Sequence, residues 1–343
     1  MAENRRHNTR RKFLLTASTA AFAGIVGCTG GSGQDGSQST TIAILAAGSL
    51  QNALANGLKP TVDVPVQIES HGSATVARMI DEGQRNPDIV SVADVALFEE
   101  PLSPPWHSVF TSNSVVIAYN PNTDGGQQLA EAGPENWYEP IANGNVSIGR
   151  TDPDQDPLGY RTLFVLELAS KYYDDASNIR KQSLHQNQIY PETSLLSQFE
   201  TGSIDAAIAY RNMAVERDYE YIELPDQINL SDPQYAEDWY ATTSYTLPSG
   251  QEIQGGLISY CSTIRHISNA AISVFDVHTT GSYLEEHGFL LREQFPDYIG
   301  EVPQRVRQVT DKSNGDQASE DQPQLGSSKK KLSPAVSDIT VLI

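Results

Sequence analysis

Cysteine is nearly absent from this chain: Cys28 and Cys261 are the two among 343 residues. Basic side chains are scarce as well, with 23 Lys and Arg against 43 Asp and Glu and a formal charge of −20. A surface so poor in cations cannot neutralise phosphates, which argues against nucleic acid as a partner. The sequence has no nucleophile elbow, no zinc-binding motif and no phosphate-cradling P-loop, so the commonest hydrolase and nucleotide-binding signatures are missing. It shows no internal repeat at a fixed period, which sets solenoids aside. Its one marked apolar run near the N-terminus is too short to cross a bilayer and stay there.

What is present suits one large two-lobed body. The length allows about two domains, and 38% hydrophobic residues can fill a sizeable core. The excess acid is spread along the chain rather than gathered in a block. That pattern suits a protein kept soluble at high salt, where self-repulsion is screened, and we expect a halophile. The stretch TRRKFLLTASTAAFAGIVGC carries Arg10, Arg11 and a short apolar run, the pattern of a twin-arginine export signal over residues 1–28. It ends in IVGC, which resembles a lipoprotein cleavage box and would leave Cys28 as the lipid-bearing residue. Stable anchoring would need a second acyl chain. Cys261 then has no partner, and no intrachain disulfide is expected. Residues 29–40 are Gly/Ser-rich and read as a flexible tether. Residues 309–343 are polar and predicted to be disordered, with SKKKL a short solvated charge run.

Between these ends, short apolar runs alternate with helical patterns. TIAILAA at 41–47, VDVPVQIES, DIVSVAD at 88–94 and NSVVIAYNP at 113–121 read as strands. Helices are predicted after the first, with Leu50, Ala53, Leu54 and Leu58 on one face and Pro60 as a stop, and over 71–83. A second set follows: a strand at NVSIGR, an amphipathic helix over 159–174, a helix over 194–203, strands in IDAAIAYRNMA, EYIELPDQINL and QGGLISYCST, and a long helix over 269–288. Such alternation predicts α/β lobes with mostly parallel sheets. We expect residues 41–119 with a return segment 235–308 in lobe 1, and 120–234 in lobe 2. A ligand cleft would lie between lobes that close about a hinge. His185 and His278 are isolated and read as surface or core residues, and Trp106, Trp137 and Trp239 as packing residues.

Two strand ends share a device. AAGS at 46–49 and SHGS at 70–73 each set Gly then Ser before a helix. Ser49 and Ser73 could be plain N-caps, or they could join free backbone N–H groups in holding an oxyanion. A third helix start follows GRTDPDQDPLGYRT, residues 149–162, with Asp152, Asp154 and Asp156 at alternate positions. An EF-hand is excluded, since counting from Asp152 the required Gly falls on Pro157 and the required Glu on Leu163. An exposed acidic turn remains open. Facing an anion, a carboxylate at ~4 Å would repel it by about 1 kcal/mol even at water's dielectric. So the aspartates turn away, or the ligand carries an electrophilic metal that accepts them.

The ordered stretches AAGSLQNAL, HGSATVARMI, DIVSVAD, GRTDPDQDPLGYRTLFVLELASKYY, YPETSLLSQFETGSIDAAIAYRNMAV and YIELPDQINLSDPQYA resemble the archaeal-type tungstate/molybdate-binding proteins of ABC importers, over most of residues 41–262. The resemblance implies a type II periplasmic-binding fold: two doubly wound α/β lobes, a hinge and an interlobe cleft. It implies that Gly48, Ser49 and Ser73 donate to the oxyanion from the first lobe and Tyr210 from the second. It also implies that Asp156, in Asp-Pro, and Glu192, in PET, coordinate the Mo or W atom itself and raise it to six ligands. Asp152 is the lesser candidate for the aspartate, and Asp154 is expected to face solvent. The segment before YPET is short for that family, and Leu158 stands where many relatives have Cys.

The resemblance thus implies an extracellular, lipid-anchored binding protein, not an enzyme. It would have no cofactor, with tungstate or molybdate as cargo, and would deliver to a membrane permease with its ATPase. Two rivals stand beside it. One is the same fold holding another oxyanion such as sulfate; the other is a secreted hydrolase using an Asp/Glu pair.

Overall fold

The computed structural model describes residues 40–174, 179–184 and 188–309. The export stretch, Cys28, tether residues 29–39, His185 and residues 310–343 with their lysine run lie outside the described residues. Among the described residues, no helix is long and apolar enough to cross a membrane.

The strands in chain order are β1 (Ile42–Ala47), β2 (Val66–His71), β3 (Ile89–Val92), β4 (Trp106–Ser112), β5 (Val115–Tyr119), β6 (Ile148–Gly149), β7 (Ala206–Tyr210), β8 (Tyr221–Glu223), β9 (Ser244–Thr246), β10 (Glu252–Gln254), β11 (Ser259–Ile264) and β12 (Asp297–Gly300). They form a six-stranded sheet in the order β12-β4-β11-β3-β1-β2, a four-stranded sheet in the order β6-β7-β5-β8, and the hairpin β9–β10. Helices flank both sheets, giving the expected α/β, type II periplasmic-binding architecture.

The sheets are mixed, not mostly parallel. In the larger sheet β1 runs parallel to β2 and β3, while β11 is antiparallel to β3 and β4, and β12 to β4. The physical reason is the return: a chain that leaves one sheet, builds another and comes back re-enters in the opposite sense. It leaves through Asn113 and Ser114, directly between β4 and β5, so β5 lies in the smaller sheet, between β7 and β8. It comes back ahead of β11, where Ile258 N–H donates to Leu230 O at 3.0 Å and Ser112 Oγ donates to Ile258 O at 2.6 Å.

Local chemistry accounts for most elements. β1 and β7 are continuous apolar runs because both of their faces are covered, and nearly every residue in them is buried. β4 escaped the sequence reading because its seven buried residues, WHSVFTS, include four polar ones whose burial no apolar pattern announces. After β1 the chain makes a 3-10 turn (Gly48–Leu50) and then wider π-type turns (Ala53–Leu58) instead of a uniform α-helix. Even so, Leu50, Ala53, Leu54 and Leu58 are all buried, as the period predicts.

Helix α1 (Ser73–Asp81) follows β2, and helix α2 (Pro157–Tyr172) follows the acidic loop. Asp156 caps α2, accepting from Leu158 N–H at 2.8 Å, and Pro157 takes the first position, where no N–H is needed. Twelve of the sixteen residues of α2 are buried, so the helix predicted as amphipathic is enclosed on most of its circumference. The predicted 269–288 helix is two: α3 (Asn269–Thr280) ends at Gly281 and a short turn, Tyr283–Glu286, follows. His278, on α3, is buried, with Nε2 2.9 Å from Ser91 Oγ and Nδ1 2.8 Å from Tyr283 Oη. Trp106 and Trp137 pack in the core, and Trp239 is half-buried and donates to Gln227 O.

Ser268 caps α3 by accepting from Ala271 N–H at 3.0 Å. Replacing it with Ala should cost about 1 kcal/mol of stability, read as a lower urea midpoint with an unchanged slope.

Candidate ligand-binding site

The C-terminal ends of β1, β2 and β3 lie at one edge of the larger sheet, because these strands run parallel. They deliver Gly48–Ser49, Gly72–Ser73 and Ala93 to that edge. The other half brings the loop after β6 with Thr151 to Asp156, the 3-10 turn Glu192–Ser194, and Tyr210 at the end of β7. The two sets meet closely. A Cβ on Gly48 would stand 2.5 Å from Glu192 Oε2, and one on Gly72 would stand 2.5 Å from Gln155 O and 3.1 Å from Asp156 Cβ. Only glycine allows that approach. Gln155 O also accepts from Thr75 N–H across the gap at 3.3 Å. His71, Thr75, Thr151, Tyr190 and Thr193 rim a cleft of about 220 Å³ that ends on Asp156 and Glu192.

Neither serine is a plain helix cap. Gly72 is the N-cap of α1, and neither Ser49 nor Ser73 makes a capping bond. Ser73 Oγ accepts instead from Ala93 N–H at 3.0 Å, and Ser49 Oγ accepts from the Tyr260 hydroxyl at 3.0 Å.

The two carboxylates are the costly feature. Asp156 is 3% exposed and Glu192 5%. One oxygen of Asp156 holds the α2 cap, while Oδ2 has no partner, and neither do Oε1 and Oε2 of Glu192. The Ser49 hydroxyl and the Gly48 and Ser49 amides face Glu192, and the Thr151 hydroxyl faces Asp156, without reaching hydrogen-bond geometry. Burial raises the Asp156 pKa from 3.8 to about 7, against the pull of the Leu158 amide and the Arg161 charge. Burial raises Glu192 as well, and the Asp156 charge adds to it.

Behind the carboxylates, Tyr210 Oη accepts from Arg161 Nη1 at 2.6 Å. Arg161, on α2 and 3% exposed, also donates to Ala93 O at 2.6 Å and to Asp94 Oδ2 at 2.9 Å. The Tyr160 hydroxyl donates to the same Asp94 oxygen at 2.6 Å. Asp94 follows β3, so this ion pair ties the two halves together.

The three aspartates of the loop separate cleanly. Asp156 points to the cleft. Asp152 accepts from Asp154 N–H and from the Gln155 amide and so shapes the turn. Asp154 does not simply face solvent: it is half-buried and takes the Tyr245 hydroxyl at 2.5 Å, because the β9–β10 hairpin packs over the loop. Thus Asp156 and Glu192 line the cleft, Gly48 and Ser49 stand against Glu192, and Ser73 and Tyr210 are fully buried outside the cleft's lining. Sequence reasoning missed Arg161, Tyr260, Asn113 and Asn212. The signal available was that Arg161 immediately follows Tyr160 in the first turns of a helix otherwise apolar. Among the described residues, no group of three or more His, Cys, Asp or Glu could hold a resident metal ion.

Residues 42–249 match the model of the bacterial extracellular solute-binding protein family. The chain belongs to that family. It is a binding protein and not an enzyme, and what it carries is cargo and not a cofactor. This solute-binding protein is 50% identical over 298 residues to a Haloferax volcanii protein whose provisional name is ABC transporter molybdenum-binding protein, covering 86% of this chain and 96% of the relative. It is 30% identical over 339 residues to the molybdate/tungstate-binding protein of Thermococcus kodakarensis, covering 86% and 95%. An uncharacterized solute-binding protein of Halobacterium salinarum is 33% identical over 316 residues, covering 86% and 96%.

A carboxyl whose pKa is raised by folding keeps its proton after the unfolded chain has lost its own. The unfolded state therefore binds fewer protons, and stability falls as pH rises. For Asp156 the window runs from about pH 4 to about 7, and Glu192 acts in the same direction. Ligand-free protein should melt higher at pH 5 than at pH 8. Asp156→Asn, which can still cap α2, should remove part of that slope, on the order of a few kcal/mol across the window. Scanning calorimetry of both proteins across this range measures the difference.

Proposed function

We propose that this solute-binding protein captures molybdate or tungstate and delivers it to an ABC permease driven by its ATPase. Gly48, Ser49, Ser73 and Tyr210 donate to the oxyanion, and Asp156 and Glu192 bind the Mo or W atom. The observation that supports this most is the pair of buried carboxylates with three unpartnered oxygens. Buried charge of this kind is costly unless a ligand meets it. Hexavalent Mo or W can expand from four to six ligands, which turns a repelled carboxylate into a bonded one. Sulfur in sulfate does not do so, and the same pair then rejects it. The relatives named for molybdenum, molybdate and tungstate point the same way.

The two halves would act as lobes closing on the anion by population shift. The acidic composition, with two haloarchaeal relatives, supports a halophile working outside the cell. Export by the twin-arginine pattern and lipid attachment at Cys28 rest on the TRRKFLL and IVGC stretches.

One other chemistry fits unpartnered carboxylates with raised pKa values: an oxyanion that brings its own proton, such as hydrogen phosphate, and donates it to Asp156 or Glu192. Titration calorimetry separates the two. Tungstate and molybdate should bind tightly, with sulfate and phosphate competing weakly. Asp156→Ala and Glu192→Gln should each lower tungstate affinity on the order of a hundredfold or more. X-ray absorption on the loaded protein should give six ligands to the metal. Four ligands, or phosphate binding as tightly as tungstate, overturns the proposal.

A further inference from the structure

A hydroxyl that lines a binding site can donate or accept, and which it does is set by what already holds its oxygen. Ser49 is held by a chain whose polarity can be traced to its origin. Asn113, at the crossing between β4 and β5, accepts at Oδ1 from Ser114 N–H at 3.0 Å and from Asn212 N–H at 3.4 Å. Backbone amides can only donate, so the oxygen of the Asn113 side chain is fixed and its Nδ2 faces the other way. Nδ2 donates to Asn212 Oδ1 at 2.8 Å and to Tyr260 Oη at 3.3 Å. Asn212 is pinned in turn, because its Nδ2 donates to Ser49 O at 2.8 Å and to Glu216 Oε1 at 3.2 Å.

Tyr260 therefore receives a hydrogen bond from Asn113, and its single proton goes to Ser49 Oγ at 3.0 Å. One of the two acceptor sites of the Ser49 oxygen is thus occupied from behind, and its own proton is left for the side that faces Glu192. All four residues are buried. The other two hydroxyls show the same pattern. Ser73 takes the Ala93 amide, and Tyr210 takes the Arg161 guanidinium, which has no acceptor capacity.

We propose that Tyr260, oriented by Asn113, is a positioning residue that takes up one acceptor site of Ser49 and so biases its hydroxyl to donate toward a bound oxyanion. Such a hydroxyl suits an anion whose oxygens are all acceptors. It offers fewer acceptors to an anion carrying O–H, whose proton is better received by the carboxylates. Tyr260 touches no ligand in this scheme and acts through Ser49. The inference rests on the oxyanion reading above.

Tyr260→Phe keeps the ring, which packs edge-on against Phe289 and Tyr210, and removes the hydroxyl that holds Ser49, while Asn113 Nδ2 keeps its bond to Asn212. With one charge-assisted bond weakened, tungstate affinity should fall roughly tenfold to a hundredfold. The ratio of phosphate to tungstate affinity should rise, since Ser49 becomes free to accept. Ser49→Ala combined with Tyr260→Phe should lose little more than Ser49→Ala alone, because the two act as one unit. A purely structural role for Tyr260 would lower melting temperature and affinity for both anions equally and would add to Ser49→Ala; that outcome overturns the inference. So does wild-type affinity and selectivity in Tyr260→Phe. If that variant does not fold, Asn113→Ala carries the same expectation, since it releases the Tyr260 hydroxyl to turn away from Ser49, and an unchanged anion ratio there overturns it equally. Failure of the parent protein to bind tungstate or molybdate at all would sink the oxyanion reading instead, so the two failures remain distinct.

Discussion

Two acidic side chains held out of water, with no cation bonded to either, set the terms for everything around them. Removing one carboxylate from solvent costs on the order of several kcal/mol after relaxation, and Asp156 and Glu192 are both fully enclosed. The fold tolerates them through partial compensation. Amides at the start of a helical turn face Glu192, the α2 cap takes one oxygen of Asp156, and Arg161 contributes a positive charge from below. None of these satisfies the oxygens that point into the cleft. A site built this way keeps unspent bonding capacity for a guest of the right electronic kind.

That capacity depends on the sheet topology. Parallel strands put three loop starts at one edge, and the double crossing lays the second half against them. Glycines at positions 48 and 72 let the halves approach to contact, so the Gly-Ser turns of one half stand against the carboxylates of the other. The crossing itself is not passive, since Asn113 sits in it and reaches through Tyr260 to Ser49.

Much of the fold was legible because strands buried on both faces and helices with marked starts carry local signals. The exceptions are instructive. β4 was hidden because its buried hydroxyls and imidazole look like a loop, and α2 looked amphipathic although Arg161 and Tyr160 are polar residues satisfied internally. For the cleft, the Gly-Ser starts, Asp156 before proline and Glu192 could be singled out from short stretches and a family resemblance. Tyr260 and Asn113 could not, since their partners are far along the chain: 211 residues separate Tyr260 from Ser49, and 147 separate it from Asn113. Hydrogen-bond polarity is a property of the folded network, and no window of sequence contains it.

The Arg161–Asp94 pair spans the two halves without involving any guest. Any parting of the sheets has to strip a guanidinium from two oxygens of the larger-sheet half, Ala93 O and Asp94 Oδ2, while the Tyr210 hydroxyl moves with it. Contact between the sheets is thus self-supporting in part, and separating them is the uphill direction.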